Sequence, residues 1–353
     1  MDILEKLENS ERLNFEDGLK LYELDIFTLG KYAFKKREKL YGRKSFFNIN
    51  RHINPTNICK DICKFCAFSA NRKNPNPYTM QIDEVLKIVE DAKKRGVKEV
   101  HIVSAHNDKV GLDWYLGMFK EIKKEFLDIH IKALTAAEVN FLAKEYNISY
   151  EEMIEKMIES GVDSMPGGGA EIFDEKIRDF ICKGKVSSKE WLQIHKLWHQ
   201  KGRKSNATML FGHIEKREHR IDHMLRLRDL QDETEGFNSF IPLIYQKENN
   251  YLNVKDFVTG QEYLKTIAIS RLILDNFDHI KAYWATSTIN LALIAQEFGA
   301  DDLDGTIEKE SIQSAAGATS RNGINIKEFI HLIKDSGFIP VERDSLYNEL
   351  KVW

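Results

Sequence analysis

Three of the four cysteines, Cys59, Cys63 and Cys66, fall in one short segment, Cys59-Lys-Asp-Ile-Cys63-Lys-Phe65-Cys66; the fourth, Cys182, stands alone. Secreted scaffolds scatter and pair their cysteines, whereas a tight cluster of three is the pattern of a metal site in a reducing compartment. Iron–sulfur clusters are held by cysteine thiolates, one per iron, so three thiolates on a four-iron cluster leave one iron open to a reacting molecule. Two other readings compete. A structural zinc needs a fourth ligand, and His52 or a more distant histidine is available for it. Spacings of four and three residues also place three buried thiols on one helix face. Cys182 reads as a buried structural thiol.

Such thiolates need a frame. The chain has 353 residues, 42% hydrophobic and 30% charged, enough for a sizeable core under a well-solvated surface. Its net charge of -3 gives no case for a nucleic-acid surface, and a small anionic substrate stays compatible with it. No apolar run reaches the roughly 18–20 residues of a membrane span. The opening MDILEKLENSERL lacks a basic stretch followed by an apolar one, so a cytoplasmic location is expected, with no membrane partner.

Strand and helix patterns alternate along the chain. Residues 15–41 read as one helix. Strands are expected at 45–53, 98–104, 129–135, 162–166, 204–211, 237–244, 280–285 and 300–304. Helices are expected at 81–95, 113–126, 149–160, 174–182, 187–201, 217–233, 260–276 and 288–298, several ending at a glycine just before the next strand. Repeated strand–helix units imply a parallel sheet, and eight imply an α/β (β/α)₈ TIM-type barrel. An open six-stranded barrel fits the same pattern. The expected organisation is an N-terminal helical extension, 1–44, and a barrel domain with C-terminal elements, 45–353. Chemistry belongs at the C-terminal ends of the strands.

The cysteine spacing, with the aromatic Phe65 before the last thiol, resembles the radical S-adenosylmethionine superfamily. Pro166-Gly167-Gly168-Gly169-Ala170-Glu171-Ile172-Phe173, Trp191, His195 and the run Ser205-Asn-Ala-Thr-Met-Leu-Phe-Gly-His213-Ile-Glu215 resemble one branch of it. That branch contains the futalosine-pathway menaquinone enzymes and the deazaflavin synthase subunits. Within it the run 205–215, His219-Arg-Ile-Asp-His223, Leu230-Gln-Asp-Glu-Thr234 and Phe240-Ile-Pro-Leu243 look like the aminofutalosine synthase family, over about residues 45–320.

The resemblance implies a [4Fe-4S] cluster on Cys59, Cys63 and Cys66, with S-adenosylmethionine chelating the open iron and consumed as co-substrate. It implies that a 5′-deoxyadenosyl radical adds to 3-[(1-carboxyvinyl)oxy]benzoate, giving 6-amino-6-deoxyfutalosine, methionine and bicarbonate for menaquinone. A flavodoxin or ferredoxin-type electron donor is implied too. Implied contacts to S-adenosylmethionine are Phe65, His106, Asn107, Glu138, Gly167, Gly168, Gly169, Glu171 and Arg178. The three glycines would let backbone N–H groups approach a ligand, and the Arg178 fork suits its carboxylate. Each also has a plainer reading, as a βα turn or a surface ion. His213, with Glu215 beside it, is the candidate acid or base; His213 also fits a hydrogen-bonded loop residue. His219 and His223 are spaced like helical zinc ligands but lack the HExxH pattern. For the substrate carboxylates the choice stays open among Arg51, His52, Arg220 and Arg226. The sister dehypoxanthine futalosine cyclase shares the cysteines and the glycine turn. A zinc-stabilised binding protein is the non-enzyme alternative. A second conventional cluster is not available from one remaining cysteine.

Overall fold

The computed structural model describes every residue except Met1 and Arg72. Parallel pairing closes into a ring. The first strand runs over Lys44–Asn48 and, past Ile49, Asn50–Ile53; the second is Glu99–Ile102 and the third His130–Ala133. The fifth, sixth, seventh and eighth are Ser205–Phe211, Phe237–Ile244, His279–Ile280 and Asp302–Gly305. Bridges Lys132 to Ser164 and Met165 to Ser205 supply the fourth position, and Lys281 to Asp302 joins the seventh to the eighth. Phe46 opposite Asp302 and Asn48 opposite Gly305 bring the eighth back to the first. The barrel is therefore eight-stranded and closed, and the open six-stranded form is excluded.

The fourth position is reduced to bridges for a local reason. Asp163 Oδ2 accepts the Ile131 N–H at 2.8 Å, so a side chain takes a donor that a neighbouring strand carbonyl would otherwise use. The expected seventh strand, 280–285, ends early because the chain turns into the short helix Trp284–Ser287.

The expected single helix over 15–41 is divided into Phe15–Leu21 and Ile26–Tyr41, behind a further turn Ile3–Glu8. Asp25 makes the break: its carboxylate accepts from the N–H groups of Phe27 and Thr28, each at 3.0 Å, and so starts a new helix. The hydrophobic period crosses this break and conceals it. Helix Ile26–Tyr41 packs along Gly260–Ile273 on the barrel's outside. Helix Ala136–Glu145, which the sequence reading did not separate from its surroundings, is buried over nearly all of its surface and shows no polar face.

After the barrel, helix Ile326–Asp335 leads to strand Ile339–Arg343, parallel to Lys44–Phe47, and then to the antiparallel strand Glu349–Val352. Pairing with the start of the first strand puts this unit at the N-terminal end of the barrel. Arg343 Nε reaches Asp302 Oδ2 at 2.6 Å from there. The opposite end is left to the loops that carry the cysteines and the glycine turn.

Burial sets the acid response. It pushes His101, His199 and His223 down to about 3 and His130 down to about 4. Each is neutral when folded and takes up a proton on unfolding below the ordinary value near 6.5. Their stabilisation is complete above about pH 6.5 and is lost as pH falls toward 4. Urea unfolding between pH 7.5 and 4.5 is expected to show stability falling with decreasing pH, with up to about four protons taken up per chain. A flat profile over that range would contradict the burial of these rings.

Candidate active site

One cavity runs from the cysteine loop into the barrel lumen. Cys59, Cys63 and Cys66 line its outer end, with Asp61, Phe65 and Lys185. The loop has almost no regular secondary structure, so hydrogen bonds from elsewhere place it. Lys60 N donates to His106 O at 2.9 Å, beyond the second strand, and Lys64 N donates to Ile181 O at 2.7 Å. Tyr251 N donates to Lys64 O at 2.6 Å. Asn57 closes the return of the loop: its Nδ2 donates to Asn76 O and its Oδ1 accepts from Tyr78 N.

The thiols suit a cluster. All three face one cavity, yet among the described residues no group of three His, Cys, Asp or Glu side chains is gathered closely enough for a single metal ion. A cluster is gripped by one thiolate per iron, at separate corners, and that is what the loop offers. Burial pushes the Cys59 thiol up, while N–H groups of His106 and Asp61 directed at it pull the other way. Burial raises Cys63 well above its ordinary value, with Lys185 as the main opposing charge. Loading the site therefore has to displace protons. Cys182 is buried against this cluster of groups and does not line the cavity.

The glycine turn forms another wall. A Cβ on Gly167 would lie 2.8 Å from the backbone of Asn206 and Ala207; one on Gly168 would lie 2.9 Å from Thr135 Cγ2. Gly169 has φ +87° and would meet Ala137 Cβ at 2.8 Å. The carbonyls of the turn are all held: Thr208 Oγ1 donates to Gly167 O at 2.6 Å, Trp191 Nε1 to Gly168 O at 3.1 Å and Arg178 to Gly169 O at 3.1 Å. No protein acceptor among the described residues takes the N–H groups of Gly167, Gly168, Gly169 or Ala170. Such a row of unpartnered N–H groups at a cavity wall is a ready anion or carboxylate cradle. Glu171, at φ +47°, turns its carboxylate into the same cavity and pairs with Lys185 Nζ at 2.7 Å.

Phe65, His106, Gly167, Gly168, Gly169 and Glu171 thus share one cavity with the cysteines. Other expected residues do not. Arg178 is buried, and its guanidinium donates to the carbonyls of Gly169, Ala170, Ile172 and Val186; it holds the turn and does not line the cavity. Glu138 is spent on backbone, accepting from Ser104 N at 2.8 Å and Thr135 N at 2.7 Å. Asn107 Nδ2 donates to the hydroxyls of Thr56 and Thr79, behind the cavity wall. His213 and Glu215 also lie outside. Glu215 accepts from the N–H groups of Gly212 and His213 and from Arg220 Nε at 2.7 Å, so both residues fasten the loop after the fifth strand. His219 and His223 form no metal pair: Lys216 N donates to His219 Nδ1, whereas His223 lies against Thr208 O and stacks on Phe173.

Of the residues considered for substrate carboxylates, only His52 reaches the cavity. Arg220 is held by Glu215 and Glu262, and Arg226 by Phe173 O and Ser188 Oγ. The lumen presents groups that motif reading missed: Glu99, His101, Lys132, Tyr283, Asp304 and Gln313. Strand alternation would have found Glu99, His101 and Lys132, which share the inward face with His52. Its cations are already paired, Lys132 with Glu99 at 2.6 Å and Lys185 with Glu171. Removing one partner of such a buried pair costs about 3–5 kcal/mol, so neither lysine is a free charge for a ligand. The imidazoles differ. His52 and His101 meet edge to face at 4.7 Å, both kept neutral by burial, and the Nε2 atom of each has no partner in the protein.

Residues 53–227 match the Radical SAM superfamily model, and 234–352 match the CofH/MqnC C-terminal region. The chain is 43% identical to aminodeoxyfutalosine synthase of Thermus thermophilus, over 99% of this chain and 96% of that one. The chain is a radical SAM enzyme. It is also 36% identical to cyclic dehypoxanthine futalosine synthase of Streptomyces coelicolor, over 99% of its own length and 88% of that protein's. In fold it is similar to methylornithine synthase, with a TM-score of 0.77 at 17% identity, covering 96% and 97% of the two chains. The radical SAM family uses a [4Fe-4S] cluster and S-adenosylmethionine, and Cys59, Cys63 and Cys66 fit its motif.

Replacing any one of Cys59, Cys63 or Cys66 by Ala is expected to lower reconstituted iron and sulfide well below the about four per chain of a full cluster. Cys182→Ala is expected to retain them. Iron and acid-labile sulfide analysis checks both. Gly167→Ala is expected to cost about 1–3 kcal/mol, because the new methyl meets backbone that cannot move aside; denaturant titration reads it.

Proposed function

We propose that the enzyme is an aminodeoxyfutalosine synthase, joining the adenosyl group of S-adenosylmethionine to 3-[(1-carboxyvinyl)oxy]benzoate to give 6-amino-6-deoxyfutalosine, methionine and bicarbonate. The observation that carries the reading is the continuity of one cavity, from three thiols past a cradle of N–H groups into a polar lumen. The relative in Thermus thermophilus supports this member of the family over its sisters. Cys59, Cys63 and Cys66 would hold the cluster, which when bound would supply the electron for cleaving a carbon–sulfur bond of S-adenosylmethionine. The protein's own groups hold and orient. The N–H groups of Gly167–Gly169 and the Glu171 carboxylate would take the polar ends of S-adenosylmethionine, in the cavity that Phe65 also lines.

The second substrate fits deeper. Leu210, Ile241 and Leu243 provide an apolar wall for an aryl ring, and the unpartnered His52 and His101 nitrogens and Gln313 provide neutral donors for its carboxylates. Neutral donors are consistent with a lumen whose lysines are already paired. Burial of the reacting centre keeps water from a radical that would otherwise react indiscriminately.

Anaerobic reconstitution followed by dithionite, S-adenosylmethionine and 3-[(1-carboxyvinyl)oxy]benzoate tests the reading by mass spectrometry. The expected product carries both adenosyl and benzoate fragments, with methionine released. If 5′-deoxyadenosine and methionine alone appear, and dehypoxanthine futalosine is turned over instead, the chain is the cyclase. His101→Phe is expected to raise KM for the benzoate substrate about tenfold or more, the loss of one buried hydrogen bond, with iron content retained.

A further inference from the structure

The floor of the lumen is built from charges, and the barrel by itself leaves them unequal. Glu99 on the second strand, Lys132 on the third, Lys281 just past the seventh, and Asp302 and Asp304 on the eighth are all buried. They amount to three carboxylates and two ammonium groups. Lys132 is taken by Glu99 at 2.6 Å, and Lys281 by Asp304 Oδ1 at 2.5 Å, with Asp302 Oδ1 farther off at 3.8 Å. One carboxylate is left over, and its cation comes from outside the ring: Arg343 Nε meets Asp302 Oδ2 at 2.6 Å, fully buried. The six charges then sum to zero. Burial pushes the Lys132 ammonium down, against the pull of Glu99, and Lys281 and Arg343 add to the push, so the three cations share one region.

Arg343 is delivered by the unit that follows the barrel. The turn behind its strand is seated in the barrel's N-terminal mouth: Tyr347 stacks on His279 at 3.7 Å, and Asn238 Nδ2 donates to Ser345 O at 3.3 Å. From Arg343 the contacts run inward without a break. Asp302 Oδ1 accepts from the Asp304 N–H at 2.5 Å, and Asp304 Oδ2 accepts from Asn50 Nδ2 at 3.2 Å. Asp304 has φ +69°, a backbone state that a residue with a side chain keeps only where its surroundings fix it. It lines the cavity with His52, His101, Glu99 and Lys132. A surplus negative charge at this depth, away from screening water, works against any carboxylate entering the cavity.

We propose that Arg343 is a positioning residue for a dicarboxylate substrate: by balancing the charge of the lumen floor it allows an aryl dianion to bind beside His52 and His101. Arg343 does not line the cavity and acts through Asp302 and Asp304. The C-terminal unit thereby sets which ligand charge the barrel accepts. This rests on the substrate reading above.

Calorimetry on the cluster-loaded enzyme, with S-adenosylmethionine and no reductant, reads affinity for 3-[(1-carboxyvinyl)oxy]benzoate and for its benzoate methyl ester, which carries one charge less. Arg343→Met is expected to weaken the dianion about tenfold or more and the monoester about threefold, because the repulsion scales with ligand charge. Adding Asp302→Asn to Arg343→Met restores the balance and is expected to bring the dianion back to within about threefold of wild type. Iron content, and 5′-deoxyadenosine release with dithionite alone, are expected to change less than twofold. Equal losses for the two ligands, which lost packing alone would give, overturn the proposal. So does dianion affinity within twofold of wild type in Arg343→Met, or no recovery in the double variant. If Arg343→Met does not fold, Asp302→Asn decides: its floor carries one surplus positive charge and is expected to bind the dianion about threefold tighter or more, and unchanged or weaker binding overturns the proposal. If wild type binds isophthalate but not 3-[(1-carboxyvinyl)oxy]benzoate, the substrate reading falls, and the floor is judged by the same comparison on isophthalate and its monomethyl ester. Binding of neither aryl dicarboxylate overturns both.

Discussion

The backbone fastening of the cysteine loop is the constraint on which the rest depends. The thiols must keep their sulfurs turned to one cavity, so the loop cannot bury them in a core, and it has no ladder of its own to hold it. Its place is set by N–H and carbonyl groups donated to or accepted from other elements: His106 O after the second strand, Ile181 O at the end of helix Glu175–Ile181, and Tyr251 N after the sixth strand. Buried backbone groups must be paired somewhere. Here the pairs run to segments that the barrel brings to the same end, so closing the ring also fastens the loop.

The same economy explains why several polar residues near the site do not line the cavity. Arg178 spends its guanidinium on four carbonyls of and around the glycine turn. Glu138 caps a helix start while tying the second strand's end to the third. Both are positioning residues. Holding the carbonyls of the turn leaves its N–H groups free, and those are the groups a carboxylate or ribose can use. The lumen follows a related rule. Its lysines are neutralised by Glu99 and Glu171, and His52 and His101 are held neutral by burial, so the lumen offers shape and hydrogen-bonding groups more than net charge.

Much of this was legible from the chain itself. The strand–helix alternation gave eight parallel strands because period-two and period-3.6 patterns are local properties. Where a side chain displaced the ladder, as Asp163 does, or a cap broke a continuous apolar period, as Asp25 does, the pattern misjudged the element. The roles of His213 and Arg178 were not legible, because sequence spacing says which residues are near a strand end but not which way they point. His101 and Lys132 were missed for the converse reason: no motif marks them, and only the inward face of a closed sheet joins them to His52.

By itself, then, the sequence determined the cluster chemistry and the family, since three thiolates in eight residues and an open iron are matters of local covalent spacing. It also determined the repeating units of the barrel. Ring closure and the separation of lumen from loop network were decided only by tertiary structure. Each depends on which distant segments the closed ring sets side by side, and no local pattern carries that information.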